Sequence, residues 1–155
     1  MLRAPRPTMS TPISALLERK GQAVYSVNAT MSIADAVAEM NRHRVGCVIV
    51  FSGERIAGIF TERDVLRRVV GAGLDPHVMR VADVMTPDVI TVPPQTTIDE
   101  AMTLFAEKRC RHLPVIEQGR LIGLVSIGDV SRWVAESHRA EAEHLKNYIA
   151  GGFPS

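Results

Sequence analysis

Gly123-Leu124-Val125-Ser126-Ile127-Gly128-Asp129-Val130 is the stretch that predicts the fold. It begins as an apolar strand and runs into a helix N-terminus, where a serine hydroxyl and an aspartate three residues later can cap free backbone N–H groups. Gly58-Ile59-Phe60-Thr61-Glu62-Arg63-Asp64-Val65 has the same pattern at an offset of 65 residues. The chain therefore carries a duplicated strand-to-helix element.

The duplication extends well beyond these eight residues. Val24 to Val69 aligns with Val89 to Val134 at the same offset without a gap. One copy of this length would be only marginally stable alone, because short chains bury too small a share of their surface. The sequence therefore predicts that the two copies pack together.

Each copy is predicted to fold in the order β-α-β-β-α, which gives an α+β fold class. Met40 and Met102 lie on predicted apolar helix faces and are expected in the core. The Thr97-Glu100 spacing predicts a capping box. The predicted elements are strands over 24–27 and 89–92, helices that begin at Ser32 and Thr97, hairpins around Gly53 and Gly119, and helices over 62–70 and 127–149.

The remaining segments connect or flank the copies. Residues 1–10 have no period and are expected to be flexible. Thr11 and Pro12 predict the N-cap and first residue of a lead-in helix that ends at Gly21. Relative to its counterpart at 81–85, this lead-in carries a three-residue insertion containing Lys20. The predicted organisation is a first motif over 11–71, a linker over 72–80, a second motif over 81–135, and a C-terminal helix and tail over 136–155.

Composition excludes several classes of function. The chain is 46% hydrophobic and 23% charged, as in soluble globular proteins. A net charge of +1 and 5% aromatic residues argue against a nucleic-acid partner. The N-terminus lacks the apolar core of a signal peptide, and no apolar run is long enough to cross a membrane, so we expect a cytoplasmic protein with no membrane partner.

Catalysis and metal binding find little support in the sequence. No arrangement of serine or cysteine with histidine indicates a nucleophile, and no glycine-rich phosphate loop is present. The two cysteines, Cys47 and Cys110, do not occupy matching positions and predict no disulfide framework. The five histidines have no ligand-like spacing with them. We therefore expect neither an enzyme nor a metal site.

Both copies resemble cystathionine-beta-synthase (CBS) motifs, and the pair resembles a Bateman module over about residues 11–135. The resemblance is carried by 83–86, 89–92, 111–115 and the two strand-to-helix stretches. It implies a non-catalytic regulatory module whose copies pack about a pseudo-twofold axis and form two clefts. These clefts are expected to hold an adenosine-containing ligand such as AMP, ATP, NAD or S-adenosylmethionine, and the module is expected to signal to an unknown effector protein.

The resemblance assigns ligand contacts to the duplicated junctions. Asp64 and Asp129 would accept hydrogen bonds from ribose hydroxyls, while Thr61, Ser126 and the helix N–H groups would favour phosphate. The motif of the second copy includes Gly128, and the matching segments also contain Thr91 and Pro114. From local sequence alone, both Thr/Ser-x-x-Asp segments are equally well explained as capping boxes.

Basic side chains distinguish the two copies. Arg111 and His112 are the candidates for phosphate contact in the second copy, since the family often places basic residues there. The first copy has Gly46 and Cys47 at these positions, so Arg63 and the inserted Lys20 are candidates for its charge. The two clefts are thus expected to be unequal.

A second class of function stays open, namely a structural module that works by dimerising without a ligand. In either case we expect a homodimer, since twofold pairing is the commonest form of soluble oligomer. The apolar residues available on the predicted helices are Leu66, Val69, Val70, Trp133, Val134, Leu145, Tyr148 and Ile149.

Overall fold

The computed structural model of the chain describes residues 10–21 and 23–152, without the side chains of 141, 144 and 147–152. The prediction for residues 1–10 therefore falls almost wholly outside the described residues. The helices and strands are α1 Ile13–Lys20, β1 Ser26–Asn28, α2 Ile33–His43, β2 Cys47–Ser52, β3 Arg55–Thr61, α3 Glu62–Asp64 continued by a π-helix Val65–Val70, α4 Val81–Val84, β4 Thr86–Pro87, α5 Ile98–Lys108, β5 His112–Glu117, β6 Arg120–Ser126 and α6 Ile127–Gly152.

Contacts divide the chain into two compact units. The first-repeat unit is Ala23–Ile90, and the second-repeat unit combines Met1–Gln22 with Thr91–Ser155. The lead-in helix α1 thus belongs with the second repeat, and α4 belongs with the first.

The first-repeat unit is built on a four-stranded sheet in the order β1-β2-β3-β4, in which only the β1–β2 pair is parallel. Ser32 caps α2 by accepting a hydrogen bond from the backbone N–H of Asp35 at 3.1 Å. Val81 and Val84 of α4 complete the core of this unit, and the N–H of Val81 donates to the carbonyl of Met31 at 2.9 Å. The other buried core residues are Val27, Ala29, Ile33, Ala36, Met40, Val48, Val50, Phe60 and Val69.

The second-repeat unit contains the β5–β6 hairpin, α5, α6 and α1. α1 packs against β6 and α6, and the N–H of Ile13 donates to the carbonyl of Thr96 at 2.7 Å. Gly21 ends α1 with a φ of 94°, and its N–H donates to the carbonyl of Leu17 at 2.8 Å. The predicted end of this helix is confirmed, with Lys20 as its last residue.

Four predictions of local structure need correction. The strand over 89–92 is reduced to a single bridge between Val92 and Val115, because Pro93 and Pro94 follow and lack N–H groups. Pro12 occupies the N-cap position, so α1 begins one residue later than predicted. Met102 is 39% exposed because α5 buries Ile98, Ala101 and Phe105 instead. The helix over 62–70 becomes a π-helix from Val65, which apolar spacing does not distinguish from an α-helix.

Candidate functional site

The first candidate site is the junction between β3 and α3. The carboxylate of Asp64 accepts a hydrogen bond from the N–H of Thr61 at 3.0 Å, and the N–H of Asp64 donates to the Thr61 hydroxyl at 3.2 Å. These two bonds form a complete capping box. The capping interpretation is therefore confirmed here, and any further role depends on what the carboxylate can still accept.

The second candidate site, at the junction between β6 and α6, has the same geometry. Asp129 accepts from the N–H of Ser126 at 2.8 Å, and its own N–H donates to the Ser126 hydroxyl at 3.1 Å. Gly128 lies inside this turn, where an added Cβ would be 3.6 Å from that hydroxyl. Both aspartates thus cap their helices.

Asp64 keeps one carboxylate oxygen open. Its Oδ2 receives the bonds from Thr61, whereas the nearest cation to Oδ1 is the Nε of Arg68 at 3.7 Å, beyond hydrogen-bond length. Arg68 instead donates to the carbonyls of Val84 and Met85 at 3.2 and 3.1 Å. Within the described ranges, Oδ1 of Asp64 therefore accepts no hydrogen bond. The i,i+4 spacing of Asp64 and Arg68 is the sequence signal for this neighbour.

Asp129 is instead held by two cations. The Nζ of Lys20 lies 2.5 Å from Oδ2 and also donates to the carbonyl of Leu124 at 2.8 Å. Arg132 donates to Oδ1 at 2.7 Å. Burial is the largest influence on this carboxyl and opposes ionisation, but the bonds from Lys20 and Ser126 outweigh it and lower the pKa of Asp129.

The assignment of Lys20 to the first copy is therefore wrong. Chain order places Lys20 just before the first repeat, but α1 packs in the second-repeat unit and brings the ammonium to Asp129. The other candidate cation of the first copy, Arg63, is exposed on α3.

An open groove of about 360 Å³ lies between α1 and α6 beside Asp129. Arg19 forms an ion pair with Glu136 at 2.8 Å and lies over the ring of Trp133, 4.8 Å from its centre. Trp133 is 8% exposed and its Nε1 has no partner in the described part of the chain. The groove is lined by Leu16, Arg19, Lys20, Asp129, Arg132, Trp133 and Glu136.

Arg111 and His112 lie at the N-terminus of α6. The carbonyl of Arg111 accepts a hydrogen bond from the N–H of Ile127 at 2.9 Å, and His112 is paired with Ser126 across the hairpin. The structure therefore places the backbone of this basic pair beside Ser126 and Ile127, at the start of α6. Arg111 is exposed and His112 is half-buried.

Three candidate positions remain: the counterpart of Arg111 in the first copy, Pro114 and Thr91. In the first copy, Gly46 occupies the place of Arg111, since its carbonyl accepts the N–H of Glu62 at 2.9 Å. Pro114 is buried in β5, and its carbonyl accepts the N–H of Val92 at 3.0 Å. Thr91 is exposed beside that bond. The backbone of the two junctions is therefore alike, while their charges differ.

The Lys20–Asp129 pair predicts a pH-dependent stability. Because the folded chain lowers the Asp129 pKa below its ordinary value of 3.8, the stabilisation is complete above that value and is lost as the pH falls through the folded pKa. We expect Lys20→Met to reduce the free energy of unfolding by about 1 kcal/mol at pH 7, since the pair is partly exposed. Urea unfolding at pH 7 and below pH 3.8 measures the difference in free energy of unfolding between the unmodified chain and Lys20→Met, which should be smaller in acid.

Lys108→Met is the matched control, because Lys108 is an exposed lysine that ends α5 in the same unit. It should leave the free energy of unfolding nearly unchanged at both pH values. A deficit in Lys20→Met that is constant with pH would mean that Lys20 stabilises α1 without its charge on Asp129.

A family model for the CBS domain matches residues 11–71 and 81–136. The chain belongs to the CBS-domain family. It is 40% identical over 153 residues to the mitochondrial CBS domain-containing protein CBSX3 of Arabidopsis thaliana, covering 93% of this chain and 74% of that one. The tandem α+β architecture predicted from the duplication is thereby confirmed.

Solved CBS structures share this fold. A CBS-domain containing protein from Agrobacterium tumefaciens is 38% identical, with a TM-score of 0.71 over 79% of this chain and 98% of that one. A hexameric CBS-CP12 protein from bloom-forming cyanobacteria is 25% identical, with a TM-score of 0.71 over 94% of this chain and 86% of that one. CBS-pair proteins are generally regulatory or sensor modules.

The described residues were also compared with the requirements for a membrane-spanning helix and for a metal site. Among the helices of that part of the chain, none is both long and apolar enough to cross a bilayer. The same residues contain no group of three or more histidine, cysteine, aspartate or glutamate side chains placed to hold a metal ion.

Proposed function

We propose that this chain is a non-catalytic regulatory module that binds an adenosine-containing ligand of the AMP, ATP or NAD(H) class and signals to a partner protein. The observation that carries the proposal is the duplicated aspartate at a helix N-terminus, with a carboxylate oxygen left open at Asp64. A carboxylate in this position can accept hydrogen bonds from ribose hydroxyls, while the N-terminal N–H groups favour phosphate. We further propose the cytoplasm as its location.

A ligand panel tests this function. Thermal unfolding is measured with AMP, ADP, ATP, NAD, NADH and S-adenosylmethionine, since a ligand at about 100 times its Kd adds about 2.7 kcal/mol to the stability of the state it binds. We expect at least one of them to raise the unfolding temperature without being consumed. No shift with any of them would favour a ligand-independent module, and turnover would indicate an enzyme.

Arg111 and His112 are proposed to bind phosphate and not the base. Both lie at the N-terminus of α6, where positive backbone charge adds to their own. Replacing both with alanine should weaken AMP or ATP binding about tenfold or more and leave adenosine binding almost unchanged, because adenosine has no phosphate. Calorimetric titration of the variant with each ligand measures the difference.

Arg120→Ala is the control for this pair, because Arg120 is an exposed arginine at the opposite end of the same hairpin. Its affinities for AMP and adenosine should match those of the unmodified chain. Equal losses of AMP and adenosine affinity in the Arg111/His112 variant would contradict the phosphate assignment.

We also propose that the protein is a homodimer, which is the basis of the alternative function as a structural module. Leu66 and Val70 are 66% and 67% exposed on one side of the π-helix and provide an apolar surface for a second subunit. Two residues from the predicted interface, Val69 and Trp133, are instead 2% and 8% exposed and belong to the core. Tyr148 and Ile149 have no described side chains.

Introducing charge on this apolar surface should dissociate the dimer. Leu66→Glu with Val70→Glu would bury two carboxylates without partners, so the dimer Kd should rise at least a hundredfold. Light scattering over a concentration series measures the mass. Val78→Glu is the control, since Val78 is 70% exposed outside the helices. A monomeric mass for the unmodified chain would remove the proposal.

A further inference from the structure

The acceptor capacity of Asp129 is nearly exhausted. A carboxylate oxygen has two lone-pair positions. Oδ2 of Asp129 accepts from the N–H of Ser126 and from the ammonium of Lys20, and Oδ1 accepts from Arg132. One acceptor position on Oδ1 is left. A ribose that presents two neighbouring hydroxyls to this carboxylate therefore needs Lys20 or Arg132 to leave.

Asp64 differs because Arg68, the cation nearest to its free oxygen, forms its hydrogen bonds with other acceptors. The guanidinium of Arg68 donates to two backbone carbonyls at the end of α4 and stays 3.7 Å from Oδ1. At the 65-residue offset, Arg68 corresponds to Trp133, which has no charge. α4 ends at Val84 without an equivalent of the inserted Lys20. Arg132 has a counterpart in Arg67 at this offset, so Lys20 is the cation at Asp129 that has no equivalent in the first copy.

Lys20 is better placed than Arg132 to act as an internal competitor. Its side chain is 34% exposed against 71% for Arg132, and it bonds both the carboxylate and the carbonyl of Leu124. An exposed arginine can turn into solvent at little cost, whereas Lys20 is held by two acceptors. It is also the last residue of α1, so its position is tied to that helix.

We propose that Lys20 gates the second-repeat site by occupying Asp129, so that ribose binds there only when the ammonium is displaced. This inference rests on the proposed function and adds an order of filling: ligand enters first at Asp64, and at Asp129 only at higher concentration. Displacement frees the end of α1. Because the preceding residue, Arg19, lies over Trp133 and is paired with Glu136, the movement changes the surroundings of the tryptophan.

Calorimetric titration with adenosine tests the gate in an Asp64→Asn background, which isolates the second-repeat site. Adenosine is the probe because it has the ribose and base but no phosphate for Lys20 to attract. We expect adding Lys20→Met to tighten adenosine binding about tenfold, while adding the control Lys108→Met changes nothing. Unchanged or weaker binding in Lys20→Met would overturn the gate.

Tryptophan fluorescence supplies a second readout, because Trp133 is the only tryptophan in the chain. In the Asp64→Asn background, adenosine binding should shift the emission of Trp133 as Arg19 leaves the ring. If calorimetry detects adenosine binding at Asp129 but the emission of Trp133 does not change, the proposed movement of the end of α1 is contradicted. If no ligand binds the unmodified chain, both the proposed function and the gate are rejected. If adenosine binds with the same affinity with and without Lys20→Met, only the gate is rejected.

Discussion

Replacing Asp64 and Asp129 with asparagine together is expected to weaken the binding of AMP or ATP at least a hundredfold. Asparagine keeps the shape of the side chain and one oxygen that can still accept the capping N–H, but it loses the charge and the second acceptor. Hydrogen bonds to charged groups contribute about 1.5 to 3 kcal/mol each, which is about tenfold to a hundredfold in affinity. Asp64→Asn alone should weaken the first binding step more than Asp129→Asn, since Asp129 is already occupied by Lys20.

Asp83→Asn separates ligand contact from helix capping. Asp83 caps α4 by accepting the N–H of Arg80 at 3.0 Å, so the change removes the same kind of charge from the same kind of turn outside the duplicated junctions. Titration calorimetry of this variant should give normal affinity. Normal affinity in the double Asp64/Asp129 variant as well would leave the two aspartates as caps only.

Local sequence patterns were sufficient to predict the repeated architecture. The turns at Gly53 and Gly119 have φ values of 63° and 76°, in the left-handed region that glycine adopts without strain, and both predicted hairpins are confirmed. Ser32 and Thr97 cap their helices through the N–H groups of Asp35 and Glu100. Each of these features depends on residues within a few positions of one another.

The partner of α1 could not be predicted in this way. Sequence order places α1 before the first repeat, but the Lys20–Asp129 pair joins residues 109 positions apart. A local sequence feature related to this packing is Gly123, where an added Cβ would lie 2.8 Å from the side chain of Leu17 in α1. A glycine inside a strand indicates close approach of another element without identifying that element.

The candidate site was only partly predictable for a related reason. The duplicated Thr/Ser-x-x-Asp segments located both carboxylates, yet local sequence did not reveal that one would be neutralised by two cations. It also gave no sign that Arg68 would be drawn to the carbonyls of α4, or that Trp133 would lie under Arg19. These contacts depend on which elements pack together, and so does the chemical difference between the two junctions.

Gly58→Ala is expected to destabilise the chain by about 3 kcal/mol. An added Cβ would lie 2.5 Å from the backbone carbonyl oxygen of Thr86 and 2.8 Å from the sulfur of Met85. Gly58 is paired with Pro87 across the β3–β4 ladder, so relief of the clash requires β4 to move away from the sheet. Overpacking of this kind costs about 1 to 3 kcal/mol, and a backbone obstacle places the cost at the upper end. Urea unfolding measures the loss.

Gly128→Ala is the matched control: it is also a glycine-to-alanine change, but it is expected to raise the free energy of unfolding. Its added Cβ would meet nothing closer than the Ser126 hydroxyl at 3.6 Å, and Gly128 lies in the first turn of α6. Alanine should therefore stabilise the chain by up to about 1 kcal/mol through its better helix propensity.

A loss below about 1 kcal/mol in Gly58→Ala would contradict the close approach of Gly58 to Thr86, because overpacking against a fixed carbonyl costs at least that much. In that case β4 would not be held against β3 in solution.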